Sequence, residues 1–190
     1  MRPRRPSPRP VPNRNLVLTG FMGAGKTTVG RLVASRLGWR FVDLDTEVER
    51  RAGLSVAEIF RHRGERGFRR LEHRALRRLA RGRFRVIAAG GGTPTFAPNR
   101  PWLTRLGPVV WLKVPVTELV RRLRRQGGRP LLAPAAGKPR AMARIIRRLL
   151  ARRARAYATA TWQVAAGGNP LRVAGVLLRR LAAAGTRARR

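Results

Sequence analysis

Gly20-Phe21-Met22-Gly23-Ala24-Gly25-Lys26-Thr27 fits the phosphate-loop spacing G-x-x-x-x-G-K-[ST] at every specified position. A glycine-rich turn between a strand and a helix aims several backbone N–H groups at one spot, with the helix dipole behind them. Glycines at 20, 23 and 25 let the loop wrap closely round phosphate oxygens, which a Cβ would obstruct. In that geometry Lys26 reaches the β- and γ-phosphates and the Thr27 hydroxyl ligates Mg²⁺. Gly23, Ala24, Gly25 and Thr28 complete the cradle. The chemistry predicted is that of a nucleoside triphosphate bound with Mg²⁺.

The flanking residues supply the elements that such a loop needs. Residues 15–19 read as a short buried strand. Residues 26–37 read as a helix whose Val29, Leu32, Val33 and Leu37 share one face, with Gly38 closing it. A second strand over 40–44 ends in acids. If Asp43 and Asp45 lie two apart along that strand, both carboxylates share one face. One could then hold Mg²⁺ through water while the other contacts a substrate hydroxyl. A helix through Arg51 follows, broken at Gly53. Ser55 and Glu58 make a capping-box start, and a further helical region covers 64–81. A strand over 85–89 leads into Gly90-Gly91-Gly92, which either brings backbone N–H groups to an anion or serves as a flexible turn.

Further on come a strand over 109–112, a helix over 116–125 and a helix marked by Met142, Ile145, Ile146, Leu149 and Leu150. A strand over 161–164 and a closing helix begun by Asn169-Pro170 as cap and first position end the domain. Residues 126–139, rich in glycine, proline and alanine, read as a mobile loop or lid. Within it Arg129 could reach a transferring phosphoryl group. Strands alternating with helices predict a three-layer αβα domain over 15–184 with a parallel sheet. A Pro/Arg lead (1–14) precedes it and a basic tail (185–190) that should fray follows. His62 and His73 have neither a partner nor ligand spacing and read as surface residues.

Composition bounds the rest. The 190 residues, 43% of them apolar, suit one domain with a full core. With no cysteine, disulfides and thiolate metal sites are excluded. No apolar run approaches a membrane span, and no hydrophobic stretch backs the N-terminal arginines as in a secretory signal. The expectation is a cytoplasmic, monomeric protein acting on small molecules. Lysine and arginine number 44 against 8 acids, and all but three of these basic residues are arginine. Eight positive charges lie in the two ends, so a formal +28 of the total +36 remains on the body. A nucleic-acid site would be a patch or stripe. A bias spread this widely predicts incidental polyanion binding without a dedicated nucleic-acid partner. Against that background any single arginine, whether Arg129, Arg69 or Arg153, says little by itself.

Taken in order, the motifs resemble the shikimate kinase family over nearly the whole ordered body. The matching string is Gly-x-Met-Gly-x-Gly-Lys-Thr, Asp43-x-Asp45, Ile59-Phe60, Gly64-Glu65, Phe68-Arg69-x-x-Glu72, Gly90-Gly91-Gly92, Arg129-Pro130-Leu131-Leu132 and Arg153-x-x-x-Tyr157. The resemblance implies a nucleoside-monophosphate-kinase-like fold with five parallel strands in the order 2-3-1-4-5. It also implies ATP-dependent phosphorylation of the shikimate 3-hydroxyl, on the route to chorismate and the aromatic amino acids. By the same resemblance Asp45 binds the shikimate hydroxyls and accepts the proton, and Arg69 and Arg153 clamp the carboxylate. Gly90, Gly91 and Gly92 approach a hydroxyl, while Phe60, Phe68, Glu72 and Leu131 complete the pocket. Arg129 serves the phosphates, Asp43 sits in the Mg²⁺ shell, and Arg122 with Asn169 and Pro170 lies beside adenine; Arg121 is an equal candidate for Arg122's place. Two departures stand out: residues 158–161 lack the acids common after the tyrosine, and residues 133–139 of the lid carry none either.

Overall fold

The computed structural model describes residues 15–124, 130–135 and 137–187. Five parallel strands, β1 (Leu16–Thr19), β2 (Arg40–Asp43), β3 (Arg85–Ala88), β4 (Val109–Lys113) and β5 (Trp162–Ala165), stand in the order β2-β3-β1-β4-β5. Among the described residues seven α-helices join them: α1 (Lys26–Leu37), α2 (Leu44–Ala52), α3 (Val56–Leu79), α4 (Arg100–Leu106), α5 (Val116–Leu123), α6 (Pro139–Ala158) and α7 (Pro170–Arg187). Parallel neighbours need crossovers, and these crossovers cover both faces of the sheet.

The period-two alternation of β1 decides which residues meet which layer. Leu16 and Leu18 pack with Val29 and Val33 of α1 and with Leu177 and Leu181 of α7. Val17 points the other way, into a cluster with Val48 of α2, Leu76 of α3 and Leu103 of α4. All three β1 side chains are fully buried. A third cluster packs α5 and α6 against Phe21 of the glycine-rich loop, so the loop rests on a core of its own.

Several boundaries differ from expectation for local reasons. The second strand stops at Asp43, whose carboxylate accepts the backbone N–H of Asp45 at 3.1 Å and caps α2. Leu44 is already helical, so Asp45 sits in the first turn of a helix and not on the strand beside Asp43. The capped helix at Ser55 and the region from 64 form one span, α3, interrupted where Gly64 takes φ 61° and ψ −176°. The short α4, with proline in its first turn, was not anticipated. Residues 130–135 of the expected loop make a 3₁₀ turn, and α7 continues to Arg187, past the point where fraying was expected. The lead 1–14 and residues 188–190 lie outside the described residues.

At the end of the sheet where the strands begin, one polar side chain joins three segments. Asn15, buried, donates through Nδ2 to the Gly82 carbonyl at 2.8 Å and accepts the Arg85 N–H at 3.1 Å. Its own N–H donates to the Leu106 carbonyl at 3.1 Å. Gly107 packs against this residue at φ 147°, and a Cβ there would collide with the Asn15 carbonyl oxygen. Neither the backbone oxygen nor the left-handed φ can give way cheaply. Gly107→Ala is therefore expected to destabilise the fold by about 3 kcal/mol, lowering Tm by roughly 6–12 °C in a thermal melt.

Candidate active site

Ligands of open parallel sheets gather beyond the carboxyl ends of the strands, and the predicted residues meet there. β1 ends in the phosphate loop, β2 in Asp43, and β3 in the triple glycine. Gly25 caps α1 in a left-handed conformation, φ 87°. Lys26 Nζ donates to the carbonyls of Gly20 and Phe21 at 3.0 and 3.1 Å. Thr27 and Thr28 are exposed at the start of α1, and the Thr27 hydroxyl donates to Asp43 Oδ2 at 3.3 Å. A hydroxyl and a carboxylate at the mouth of a phosphate loop are hard oxygen donors, suited to an Mg²⁺ that keeps several waters. Among the described residues no cluster of three or more His, Asp or Glu could hold a metal ion.

The triple glycine is the point of convergence. A Cβ built on Gly91 would stand 2.9 Å from the Tyr157 hydroxyl and 3.0 Å from both Arg153 Nη1 and the Gly20 carbonyl oxygen. One built on Gly92 would collide with the Arg69 guanidinium, and one on Gly90 would lie 3.4 Å from Asp45 Oδ1. Side chains from α2, α3 and α6 thus close on one turn beside the phosphate loop. Tyr157 holds that turn by donating to the Gly91 carbonyl at 2.8 Å while its ring stacks on Trp111. Burial raises the Tyr157 pKa, and the Arg153 charge and hydrogen bond pull it back. Arg153 also lies over the Phe21 ring, 5.6 Å from its centroid.

Beyond the kink at Gly64, α3 carries Glu65, Phe68, Arg69, Glu72 and His73 at helical spacing on one face. Arg69 donates to Glu72 at 3.0 Å and to Glu65 at 3.3 Å, and its guanidinium lies over Phe68. Glu72 has no exposed surface; it also accepts the Thr93 hydroxyl at 2.6 Å and Asn99 Nδ2 at 3.0 Å. Asn99, itself buried, donates to the Thr93 carbonyl at 3.1 Å, and its Oδ1 lies 3.1 Å from His73 Nδ1. His73 is therefore not the partnerless surface residue expected, whereas His62 is exposed. Thr93 and Asn99 went unrecognised because they fall in an irregular stretch with no periodicity. The one available signal was Asn99-Arg100-Pro101 ahead of an apolar run, a helix start. Phe60 and Leu131 are 39% and 51% exposed; Phe60 packs on Phe68 at 4.9 Å between ring centroids.

The choice between Arg121 and Arg122 resolves cleanly. Arg122 donates to the Gly23 carbonyl at 3.1 Å and to the carbonyls of Ala166 and Gly167 at 3.2 and 3.3 Å. It thereby ties the phosphate loop to the turn before Asn169, whose Oδ1 accepts the Leu171 N–H at 2.8 Å as α7 begins at Pro170. Arg121 is exposed and, among the described residues, pairs only with Glu118. Arg129 lies outside the described residues.

Asp45, beside Gly90, is a largely buried carboxylate. Burial first, then the nearby Asp43 and Glu72 carboxylates, push its pKa up from 3.8 to about 6, against the pull of Lys26 and Arg69. In the ligand-free protein the folded state therefore holds this proton more tightly than the unfolded chain does. The stabilisation is complete below 3.8 and lost as pH rises through about 6. Asp45→Asn should accordingly stabilise the nucleotide- and Mg²⁺-free protein by roughly 2 kcal/mol at pH 8 and hardly at all near pH 4. Urea denaturation at both pH values checks this; a destabilised variant at pH 8 would contradict the burial of a charge.

Known proteins share this arrangement. The sequence model of the shikimate kinase family matches residues 22–181. A shikimate kinase of Geobacter sulfurreducens is 44% identical over 160 residues, which are 84% of this chain and 86% of that protein. One from Persephonella marina is 36% identical over 169 residues, 88% of this chain and 99% of that protein. The solved structure of the Acinetobacter baumannii shikimate kinase in complex with shikimate is 37% identical, covers 91% of this chain and 95% of that one, and superposes with a TM-score of 0.81. With the sheet order, the phosphate loop and the residues around the triple glycine all in place, the chain belongs to the shikimate kinase family.

Proposed function

We propose that this protein transfers the γ-phosphoryl group of ATP to the 3-hydroxyl of shikimate, a step toward chorismate and the aromatic amino acids. The observation that carries this reading is the meeting of Asp45, Arg69 and Arg153 at Gly90–Gly92, with the Gly91 turn against the phosphate-loop carbonyl of Gly20. A small acid with hydroxyl groups matches that pocket: two guanidiniums for its carboxylate, and one carboxylate for its hydroxyls.

In this reading each residue of the site takes a role, that of Arg129 from the family resemblance. Gly23, Ala24, Gly25, Lys26, Thr27 and Thr28 hold the triphosphate, and Arg122 with the turn at Asn169 and Pro170 borders the base. Thr27 and Asp43 would hold Mg²⁺, which would supply charge neutralisation at the phosphates. Arg69 and Arg153 fix the shikimate carboxylate, while Glu72 and Phe68 keep Arg69 aimed. Phe60 and Leu131 close the rim, and Arg129 serves the transferring group. The shikimate oxygen then forms its bond to the γ-phosphorus as the bridging bond to the β-phosphate breaks and ADP leaves. The hydroxyl proton passes to Asp45, whose pKa of about 6 suits a base at neutral pH. We assign the enzyme to the cytoplasm as a monomer without a dedicated nucleic-acid partner. Among the described residues no helix is long and apolar enough to cross a membrane.

The direct test is ADP release in the presence of ATP and Mg²⁺, with and without shikimate. Turnover should depend on shikimate and fail with gluconate or a nucleoside monophosphate; equal turnover with either of those refutes the assignment. Asp45→Asn should lower kcat by about 10²-fold or more while ATP affinity stays within about threefold. Arg153→Ala should weaken shikimate binding by about tenfold or more and ATP binding far less. Equal losses for both ligands in calorimetric titration would remove the clamp.

A further inference from the structure

A second concavity lies at the other end of α3. That helix ends where β3 begins, whereas the active site lies where β3 ends. Arg74, Arg77 and Arg78 recur at helical spacing along its last turns, Arg81 follows just past its end, and α4 contributes Trp102 and Arg105. With Ala80 these residues line a cleft of about 490 Å³, within the size range of small-ligand sites. All five arginines are exposed, and none pairs with a carboxylate among the described residues. Five arginines elsewhere, Arg50, Arg51, Arg69, Arg121 and Arg122, pair with acids on their own helices, while those of α6 and α7 have no acid on their helix, so concavity and the indole, more than the lack of pairing, set this group apart. The carbonyl ends of α3 and α4 offset part of the repulsion among Arg77, Arg78 and Arg105. The remaining potential is focused in a concave site.

Trp102 organises the cleft. The guanidiniums of Arg77 and Arg105 lie over its ring at 5.4 and 5.6 Å from the centroid, and His73 meets it edge-on. Stacking on indole holds both arginines in place and leaves their N–H edges to act as donors. It also takes up the ring that a nucleic-acid base would need. A planar fork of donors suits phosphate oxygens, and five such forks suit an ion bearing several of them.

We propose that this cleft binds a small, multiply charged phosphate anion, at a site separate from the nucleotide cradle. The probe is inorganic tripolyphosphate, titrated at about 0.15 M salt into the full chain already saturated with ADP, Mg²⁺ and shikimate so that the cradle is filled. One saturable site is expected, together with a change in tryptophan fluorescence that Trp102→Phe removes. The pair Arg77→Gln and Arg105→Gln should weaken binding by about tenfold or more; the pair Arg147→Gln and Arg148→Gln, equal in charge lost but on the exposed face of α6, should change it by less than about threefold. Both pairs should leave shikimate-dependent turnover unchanged, which certifies that the variants are folded. Equal weakening by the two pairs, or a signal that never saturates, would assign the effect to the overall charge and overturn the proposal. Tighter binding of a single-stranded oligonucleotide than of tripolyphosphate, lost with the same two arginines, would overturn it in favour of nucleic acid.

Discussion

Glu72 is a carboxylate with no exposed surface, and three elements take their positions from it. Arg69 on its own helix, Thr93 just after the triple glycine and Asn99 at the head of α4 all donate to its two oxygens. A buried charge is tolerable only when paired and hydrogen-bonded on every side, so these partners are not optional. The bond to Arg69 keeps that guanidinium flat against Gly92. The bond to Thr93 fixes the turn where the three glycines end, and Asn99 passes the constraint on to His73 and to the start of α4. A buried acid thus sets the shape of the turn around which Asp45, Arg69 and Arg153 gather.

The scarcity of acids makes such placement conspicuous. All eight carboxylates fall between residues 43 and 118, and α6 and α7 have none. Asp43 caps α2, Glu58 caps α3, and Glu49 accepts the Val56 N–H at the junction between those helices. Glu47, Glu65 and Glu118 each pair with arginine, and two arginine hydrogen bonds hold the Glu118 pKa down at about 2. Asp45 is the exception, with no hydrogen bond to its side chain among the described residues. The chain commits its other acids to holding elements in place and leaves this one at the triple glycine, available for the proposed reaction.

Much of this was legible in the residue order. The phosphate loop, its strand and its helix came from one motif with the correct neighbours, and the sheet order came from the family resemblance. The position of Asp45 was misread because Arg40-Phe41-Val42-Asp43-Leu44 continues a strand pattern without a break. The aspartate that ends the strand also caps the next helix, and a cap is recognised only once the helix behind it is. Arg122 could have been separated from Arg121 by angle alone: on α5, position 121 lies opposite the buried Leu119 and Leu123, and position 122 lies on the flank. Asn99 could have been read as a helix start, but not as a partner of Glu72. A lone asparagine in an irregular stretch gives no sign that burial will surround it with a glutamate, a histidine and a carbonyl.

The grip of Lys26 and Arg122 on loop carbonyls has a thermodynamic consequence. Both cations satisfy oxygens of the phosphate loop within the chain itself, at Gly20, Phe21 and Gly23, and Phe21 is anchored in apolar packing beneath. The receptor for the triphosphate is therefore shaped in advance, and an arriving nucleotide need not freeze a wandering segment. Lysine only exchanges one set of oxygens for another, so the conformational entropy that often weakens binding by flexible loops has already been surrendered during folding.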